Sequence, residues 1–295
     1  MASVPFFSIV IPTYNRPTRL SACLAAMSQL DYPRDRFEVV VVDDGSPTPM
    51  DAVVQPLRSQ LNISLIRQSN AGPAAARNVG AQKARGELLA FTDDDCMPSP
   101  DWLRGFANQL TAMPNAMIGG RSLNDLPNNL YSTASQALID YLYIYYSDPQ
   151  RDMFFASNNI AMSRQHFMHI GGFDTSFPLA AAEDRELCDR WQQHGLLMRY
   201  DPTITIRHAH HLSLQSFWRQ HFGYGRGAFC FHQVRAKRNH QPIKIEPMKF
   251  YTNLLAYPLG REDVKSPLFV SVLFFLSQVA TTTGFFWERS IHQKA

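Results

Sequence analysis

The chain has 295 residues, of which 45% are hydrophobic and 18% charged, a globular composition with ample apolar material for a core. A net charge of +3 demands no nucleic-acid partner, and none is expected. The cysteines, Cys23, Cys96, Cys188 and Cys230, lack paired metal spacing and read as reduced core thiols of a cytoplasmic protein.

Met1–Phe7 has neither the basic start nor the long apolar run of a secretory signal. Phe7–Ile11 (FSIVI) predicts the first strand, ended by Pro12. The loop Pro12-Thr13-Tyr14-Asn15-Arg16-Pro17 leads into a helix over Thr18–Leu30, with Thr18 as N-cap. Phe37–Val42 (FEVVVV) is a continuous apolar run, expected to be a strand buried on both faces, and it ends in Asp43-Asp44-Gly45-Ser46. A helix over Asp51–Gln60 and a strand over Ile63–Arg67 follow. After the turn Asn70-Ala71-Gly72, Pro73 opens a small-residue helix that can approach a sheet closely, with Arg77 facing the same edge as the acids.

Leu88–Phe91 is a short buried-strand pattern that runs into Asp93, Asp94 and Asp95. Adjacent like charges repel, so acids at a strand mouth need a cation, a dipole or water. A divalent metal on oxygen ligands, with a phosphate on its far side, accounts for them economically. A solvated acidic turn is the plainer alternative. The strand–helix alternation is that of a doubly wound α/β sheet, whose ligands bind outside the carboxyl ends of the strands. Right-handed crossovers then bring Pro12–Asn15, Asp43–Ser46 and Asp93–Asp95 to one edge. Neither a GxGxxG nor a GxxxxGK[ST] pattern is present, which disfavours dinucleotide-binding dehydrogenases and P-loop enzymes.

Further on, Asp101–Met113 predicts a helix and Met117–Gly120 a strand. Ser132–Ser147 predicts a helix rich in tyrosine, for core packing or for substrate stacking. Phe154–Met162 has a strand pattern with Asn158 and Asn159 at its middle, and Gly171-Gly172-Phe173-Asp174 is a tight turn. Ala182-Glu183-Asp184 opens a helix over Arg185–His194. Its acids are either ordinary helix-start charges or a general base. Ile204–Ile206 is the last expected strand, and it leads to His208, His210 and His211, which are surface residues or metal and phosphate contacts.

The ordered set Val10-Ile11-Pro12-Thr13-Tyr14-Asn15, Val42-Asp43-Asp44-Gly45-Ser46, Ala76-Arg77-Asn78, Thr92-Asp93-Asp94-Asp95, Gly171-Gly172-Phe173-Asp174 and Glu183-Asp184 resembles glycosyltransferase family 2. The likeness covers about Ser8 to Gly227, and Trp218–Gly227 resembles a segment that follows the core in many members. It implies an α/β GT-A fold, with a Rossmann-like, mostly parallel central sheet flanked by helices and a C-terminal helical extension. It also implies Pro12, Thr13 and Tyr14 in the nucleotide pocket, Asp44 accepting from a uracil N–H, and Arg77 and Asp94 near the nucleotide. Asp93 lies towards the ribose, Asp95 on the metal, His208 (or His210) on the metal or diphosphate, and Asp184 is the base. Glu183, Asn159, Gly172, Phe173 and Asp174 become acceptor-side or supporting positions.

The implied reaction is an inverting transfer from a nucleotide-sugar donor, UDP-linked, to the hydroxyl of a sugar, glycolipid or other acceptor. Mg²⁺ or Mn²⁺ stabilises the leaving diphosphate, and one displacement with one base inverts the anomeric centre. A sugar-phosphate nucleotidyltransferase and a non-catalytic sugar-nucleotide-binding protein are the alternatives. The expected organisation is a domain over 1–230, with a nucleotide half to about 115 and an acceptor half beyond it, and an extension over 231–295. Within that extension Leu268–Trp287 is long enough to span a bilayer. Ser271, Gln278, Thr281 and Thr282 line up on one side, favouring a packed or interfacial amphipathic helix. Arg219, Arg226, Arg235, Lys237 and Arg238 are either a solvated basic face or a peripheral contact with an anionic inner membrane surface.

Overall fold

The computed structural model describes residues 4–148, 152–177, 181–239 and 246–293. The chain alternates β1 (Phe7–Thr13), α1 (Pro17–Met27), β2 (Phe37–Asp43), α2 (Asp51–Val54), β3 (Ile63–Arg67), α3 (Pro73–Lys83) and β4 (Leu88–Phe91). Then come β5 (Cys96–Pro98), α4 (Trp102–Ala112), β6 (Ala116–Asn124), α5 (Leu130–Tyr146), β7 (Ile160–Ser163), α6 (Arg164–His169), α7 (Glu183–Gln193) and β8 (Leu197–His208). Three helices end it: α8 (Leu214–Asn239), α9 (Met248–Ala256) and α10 (Pro267–His292).

Two compact units result. The first holds Met1–Leu123, Phe155–Thr175 and Leu187–His208; the second holds Asn124–Phe154, Ser176–Glu186 and Ala209–Ala295. The first is built on an eight-stranded sheet ordered β3-β2-β1-β4-β7-β6-β8-β5. β3, β2, β1 and β4 run parallel, whereas β7 pairs antiparallel with β4 and β6, and β5 with β8. Every residue of β1 and β2 is buried, as their unbroken apolar runs require of central parallel strands. Phe7, Ile9, Ile11, Val39 and Val41 pack with Leu20, Leu24, Trp102 and Phe106 in the core of this unit.

Several boundaries differ from the sequence reading, each for a local reason. β1 runs through Pro12 to Thr13, paired with β2 as far as Asp43, while its pairing with β4 ends at Val10. Alternation places the N–H missing from Pro12 on the β4 side, beyond the last ladder bond, so the proline costs nothing there. α1 starts at Pro17, with Thr18 inside the helix and no side-chain cap. Asp51–Gln60 yields only α2 and one 3-10 turn containing Pro56. Asn158 and Asn159 precede β7 instead of sitting mid-strand. β8 has 12 residues where three were expected, and β5 was not foreseen; its three residues are ordered by pairing with β8.

In the second unit α8 and α10 pack closely because of glycine. A Cβ on Gly225 would lie 1.9 Å from the Thr281 carbonyl oxygen, and one on Gly284 would lie 2.0 Å from that of Phe222. Val270, Leu273, Phe274, Ser277, Ala280, Gly284 and Glu288 form the buried stripe of α10. Glu288 is paired there with Arg226. Ser271, Gln278 and Thr281 are half-buried, and Thr282 is exposed. The outward face carries Leu268 (74% exposed), Val272, Phe275, Val279 and Phe286. By length and composition α10 suffices to cross a membrane.

Candidate active site

Parallel register sets the frame of the site. Thr13 stands opposite Asp43 at the carboxyl ends of β1 and β2, and the loop after β4 opens beside them. Ser46 N–H donates to Asp43 Oδ1 (2.9 Å), and Ser46 Oγ accepts from Asn15 N–H (2.8 Å), tying two loops together. The chain between them turns at Gly45, whose φ of +82° suits glycine, and a Cβ there would meet the Asn70 nitrogen at 2.8 Å.

Asp44 is buried and organises the third loop. Its Oδ1 accepts from Gln68 Nε2 (2.7 Å) and Ala71 N–H (2.9 Å), and its Oδ2 from Gly72 N–H (2.9 Å). A carboxylate has about four acceptor positions, and these donors fill three of them. Tyr14 sits at the same edge, 48% exposed.

Of the three acids after β4, Asp93 turns to one arginine, while Asp94 and Asp95 share another, Arg16. Asp93 accepts from Arg77 Nη2 at 2.7 Å. The Arg77 guanidinium, nearly fully buried, also lies 5.5 Å from the Phe173 ring centroid. Asn78 brackets Phe173, its Oδ1 accepting from Phe173 N–H and its Nδ2 donating to the Phe173 carbonyl, both at 2.8 Å. The turn this clamps uses positive φ at Gly171 and Gly172, and a Cβ on Gly172 would lie 2.6 Å from Asn78 Oδ1. Asp94 accepts from Thr13 Oγ1 (2.7 Å) and from Arg16 Nη1 (3.2 Å). Burial pushes the Asp94 carboxyl up to about 6, against the opposing pull of Thr13 and Arg16.

Asp95 lies at the centre. Its Oδ2 accepts from Arg19 at 2.9 Å and from Arg16 at 3.4 Å, and its Oδ1 stands 3.3 Å from His208 Nε2. Pairing of β5 with β8 fixes this meeting, because Cys96, next to Asp95, is in register with His208. Asp95, Cys96 and His208 present ligand atoms within 4.8 Å of one another. Carboxylate and imidazole at this spacing fit one small divalent cation of the Mn²⁺ or Mg²⁺ kind, with further positions left for phosphate and water. The Cys96 thiol fits it less well. Burial, then the neighbouring Asp93 and Asp95, raises its pKa well above the ordinary value and keeps it protonated.

The first unit therefore gathers Pro12, Thr13, Tyr14, Asp44, Arg77, Asp93, Asp94, Asp95, His208, Gly172 and Phe173. Asn159 belongs to this unit too, but every polar group of its side chain serves the sheet. Its Oδ1 accepts from Trp102 Nε1, and its Nδ2 donates to the Arg121 and Ile204 carbonyls. Glu183, Asp184 and His210 belong to the second unit. Glu183 is buried and Asp184 half-buried in the first turn of α7, where Asp184 Oδ1 accepts from Arg185 N–H at 2.7 Å; Ser132 Oγ donates to the His210 carbonyl.

Sequence reasoning missed Arg16, Arg19 and Asn78 as members of the site. Arg16 is the non-helical residue just before α1 and Arg19 lies in its first turn, so the loop that follows β1 carries both to the acids.

A family model described as glycosyl transferase family 2 matches residues 8–171, more than half of the chain. The chain belongs to that family. Among characterised relatives, the glycosyltransferase AglE of Haloferax volcanii is 33% identical over 130 residues, which is 43% of this chain and 42% of AglE. Chondroitin synthase of Escherichia coli is 28% identical over 226 residues, 65% of this chain and 33% of the synthase. The chain thus spans about a third to a half of these relatives' lengths. Among solved structures, the mannosyltransferase PcManGT of Pyrobaculum calidifontis, in complex with GDP-Man and Mn²⁺, aligns with a TM-score of 0.62. It shares 21% identity and covers 95% of this chain and 76% of that one. TarS residues 1–349 of S. aureus with UDP-GlcNAc align at 0.56 and 16% identity, covering 98% and 92%. These likenesses establish the GT-A fold.

Proposed function

We propose that the protein transfers a sugar from a nucleoside-diphosphate donor, UDP-linked, to an acceptor hydroxyl with inversion, in the synthesis of a cell-surface polysaccharide or glycolipid. The observation that carries this reading is the meeting of Asp95 and His208 at 3.3 Å, on a sheet edge that also presents Asp44, Tyr14 and the Arg77–Asp93 pair. Family membership and the sugar-nucleotide complexes of the structural neighbours support it.

In this reading Pro12, Thr13 and Tyr14 border the nucleotide, and the remaining acceptor position of Asp44 takes the uracil N–H. Arg77 holds Asp93 in place towards the ribose. Asp95 and His208 would hold Mg²⁺ or Mn²⁺, which when bound supplies Lewis-acid stabilisation of the leaving diphosphate. Thr13 and Arg16 fix Asp94 behind them. Asp184 takes the proton from the attacking hydroxyl, so a single displacement inverts the anomeric centre without a covalent intermediate.

The outward apolar face of α10 supports peripheral contact with the inner face of the cell membrane, where a lipid-linked acceptor would be met. A screen of nucleotide sugars by thermal unfolding, with and without Mn²⁺, tests the reading. A donor raises the melting temperature only when the metal is present, because a ligand that binds the native state alone stabilises it. Stabilisation by no nucleotide sugar, with or without metal, would refute it.

A further inference from the structure

The second unit holds an arginine cluster that the proposed reaction does not use. Arg185, in the first turn of α7, lies with its guanidinium carbon 4.9 Å from the Phe231 ring centroid and 5.7 Å from that of Phe154. Arg235 approaches the same Phe231 ring at 5.9 Å. The other charges nearby are matched. Arg235 pairs with Asp152 at 3.0 Å, Arg238 pairs with buried Glu186 at 2.7 Å, and Glu246 accepts from Tyr145 and Tyr146.

Arg185 differs from its neighbours. Among the described residues no carboxylate stands within ion-pairing distance of its guanidinium, and its contacts there are aromatic rings. Stacking fixes the plane of a guanidinium and leaves its edge, with the N–H donors, free to meet a planar or tetrahedral oxyanion two bonds at a time. The local field agrees. Burial first, then the positive charges of Arg185 and Arg235, drives the imidazole of His232 down to about 4. Of the three guanidinium groups here, those of Arg235 and Arg238 are ion-paired, and Arg185 is the one with only rings beside it among the described residues.

We propose that Arg185, lying against Phe231 and Phe154 with Arg235 on the same Phe231 ring, is a binding subsite for a phosphate group carried by the acceptor. The inference rests on the transferase reading above, in which Asp184, one residue before Arg185 in the same helical turn, receives the acceptor proton. A phosphate could be borne by a soluble sugar phosphate or by a lipid headgroup, and both present the same oxyanion to the guanidinium edge.

The test uses the full chain and titrates glucose 6-phosphate by calorimetry, with a parallel arm of vesicles containing phosphatidic acid. Wild type binds at least one of the two, and Arg185→Gln weakens that binding at least tenfold. Arg185→Lys, which keeps the charge without the planar fork, falls in between, and Asp95→Ala, at the donor side, leaves it unchanged. Tighter binding to vesicles assigns the phosphate to a lipid-borne acceptor, and tighter binding to the sugar phosphate to a soluble one. In wild type, glucose 6-phosphate or the vesicles also shield Arg185 from phenylglyoxal, read by peptide mass, which keeps the test intact should a variant misfold. Equal affinity of wild type and Arg185→Gln, or no binding and no shielding in wild type, overturns the subsite. Metal-dependent release of nucleoside diphosphate from a sugar nucleotide by wild type is scored separately. Its absence alongside phosphate binding at Arg185 would sink the transferase reading and not the subsite.

Discussion

The sheet edge of the first unit and the helices of the second handle charge in opposite ways. At the sheet edge each acid is met by donors from another part of the chain: Asp44 by the Gln68–Gly72 loop, Asp93 by α3, Asp94 by β1 and the turn before α1, and Asp95 by α1 and the end of β8. Carboxylates so placed, all but Asp93 buried, are poised for a cation, because their donors fix their geometry. In the second unit the helices close on glycine contacts and apolar stripes, and the Arg185 guanidinium lies against rings. The first arrangement suits a metal and a diphosphate. The second suits packing and an anionic or apolar surface.

The largest effect that would sharpen this contrast is at Asp184. Asp184→Asn should lower transfer by about 10²–10⁴-fold, the usual worth of a general base, while metal-dependent donor binding persists. A steady-state assay with a nucleotide sugar and its acceptor checks this, and unchanged turnover would remove Asp184 from the role.

Next comes the helix contact. Gly284→Val should destabilise the protein by about 3 kcal/mol, because the new Cβ meets backbone at Phe222 and backbone cannot move aside as a flexible side chain does. Urea unfolding measures it, and a loss below about 1 kcal/mol would mean that α8 and α10 do not pack so closely.

A smaller, pH-dependent effect comes from His221. It is almost fully buried beside Phe217 and Tyr224, its Nε2 meets no hydrogen-bond partner among the described residues, and burial, with His210 adding, pushes its pKa down to about 4. The folded protein therefore holds this imidazole neutral while the unfolded chain protonates near 6.5. Its contribution is complete above pH 6.5 and is lost as pH falls towards 4, by about 3 kcal/mol in all. His221→Phe should flatten the pH dependence of stability across that window. A variant with the same slope as wild type would contradict it.

The two regions also differ in how far they could be read from sequence. The four parallel strands were legible because Phe7–Ile11, Phe37–Val42, Ile63–Arg67 and Leu88–Phe91 are apolar runs punctuated by turn residues, and convergence of their loops follows from chain handedness. The histidine cluster at the end of the last strand left metal contact and plain surface residues both open, and the family resemblance singled out His208, because its approach to Asp95 depends on the pairing of β5 with β8, a long-range contact that no local pattern encodes. Arg16 and Arg19 were missed because an arginine near a helix start is ordinarily solvated. On α10, hydrophobic periodicity locates a stripe without saying which side is covered, and Gly225 and Gly284, where α8 and α10 meet, decide that.

Mn²⁺ titration followed by electron paramagnetic resonance, with UDP present, tests the central claim most directly. Wild type should bind one ion tightly, with the imidazole nitrogen of His208 detectable in the metal's coordination sphere, and Asp95→Ala should lose at least tenfold in affinity. Equal Mn²⁺ affinity in Asp95→Ala and wild type, with no nitrogen signal dependent on His208, would contradict the site as assigned.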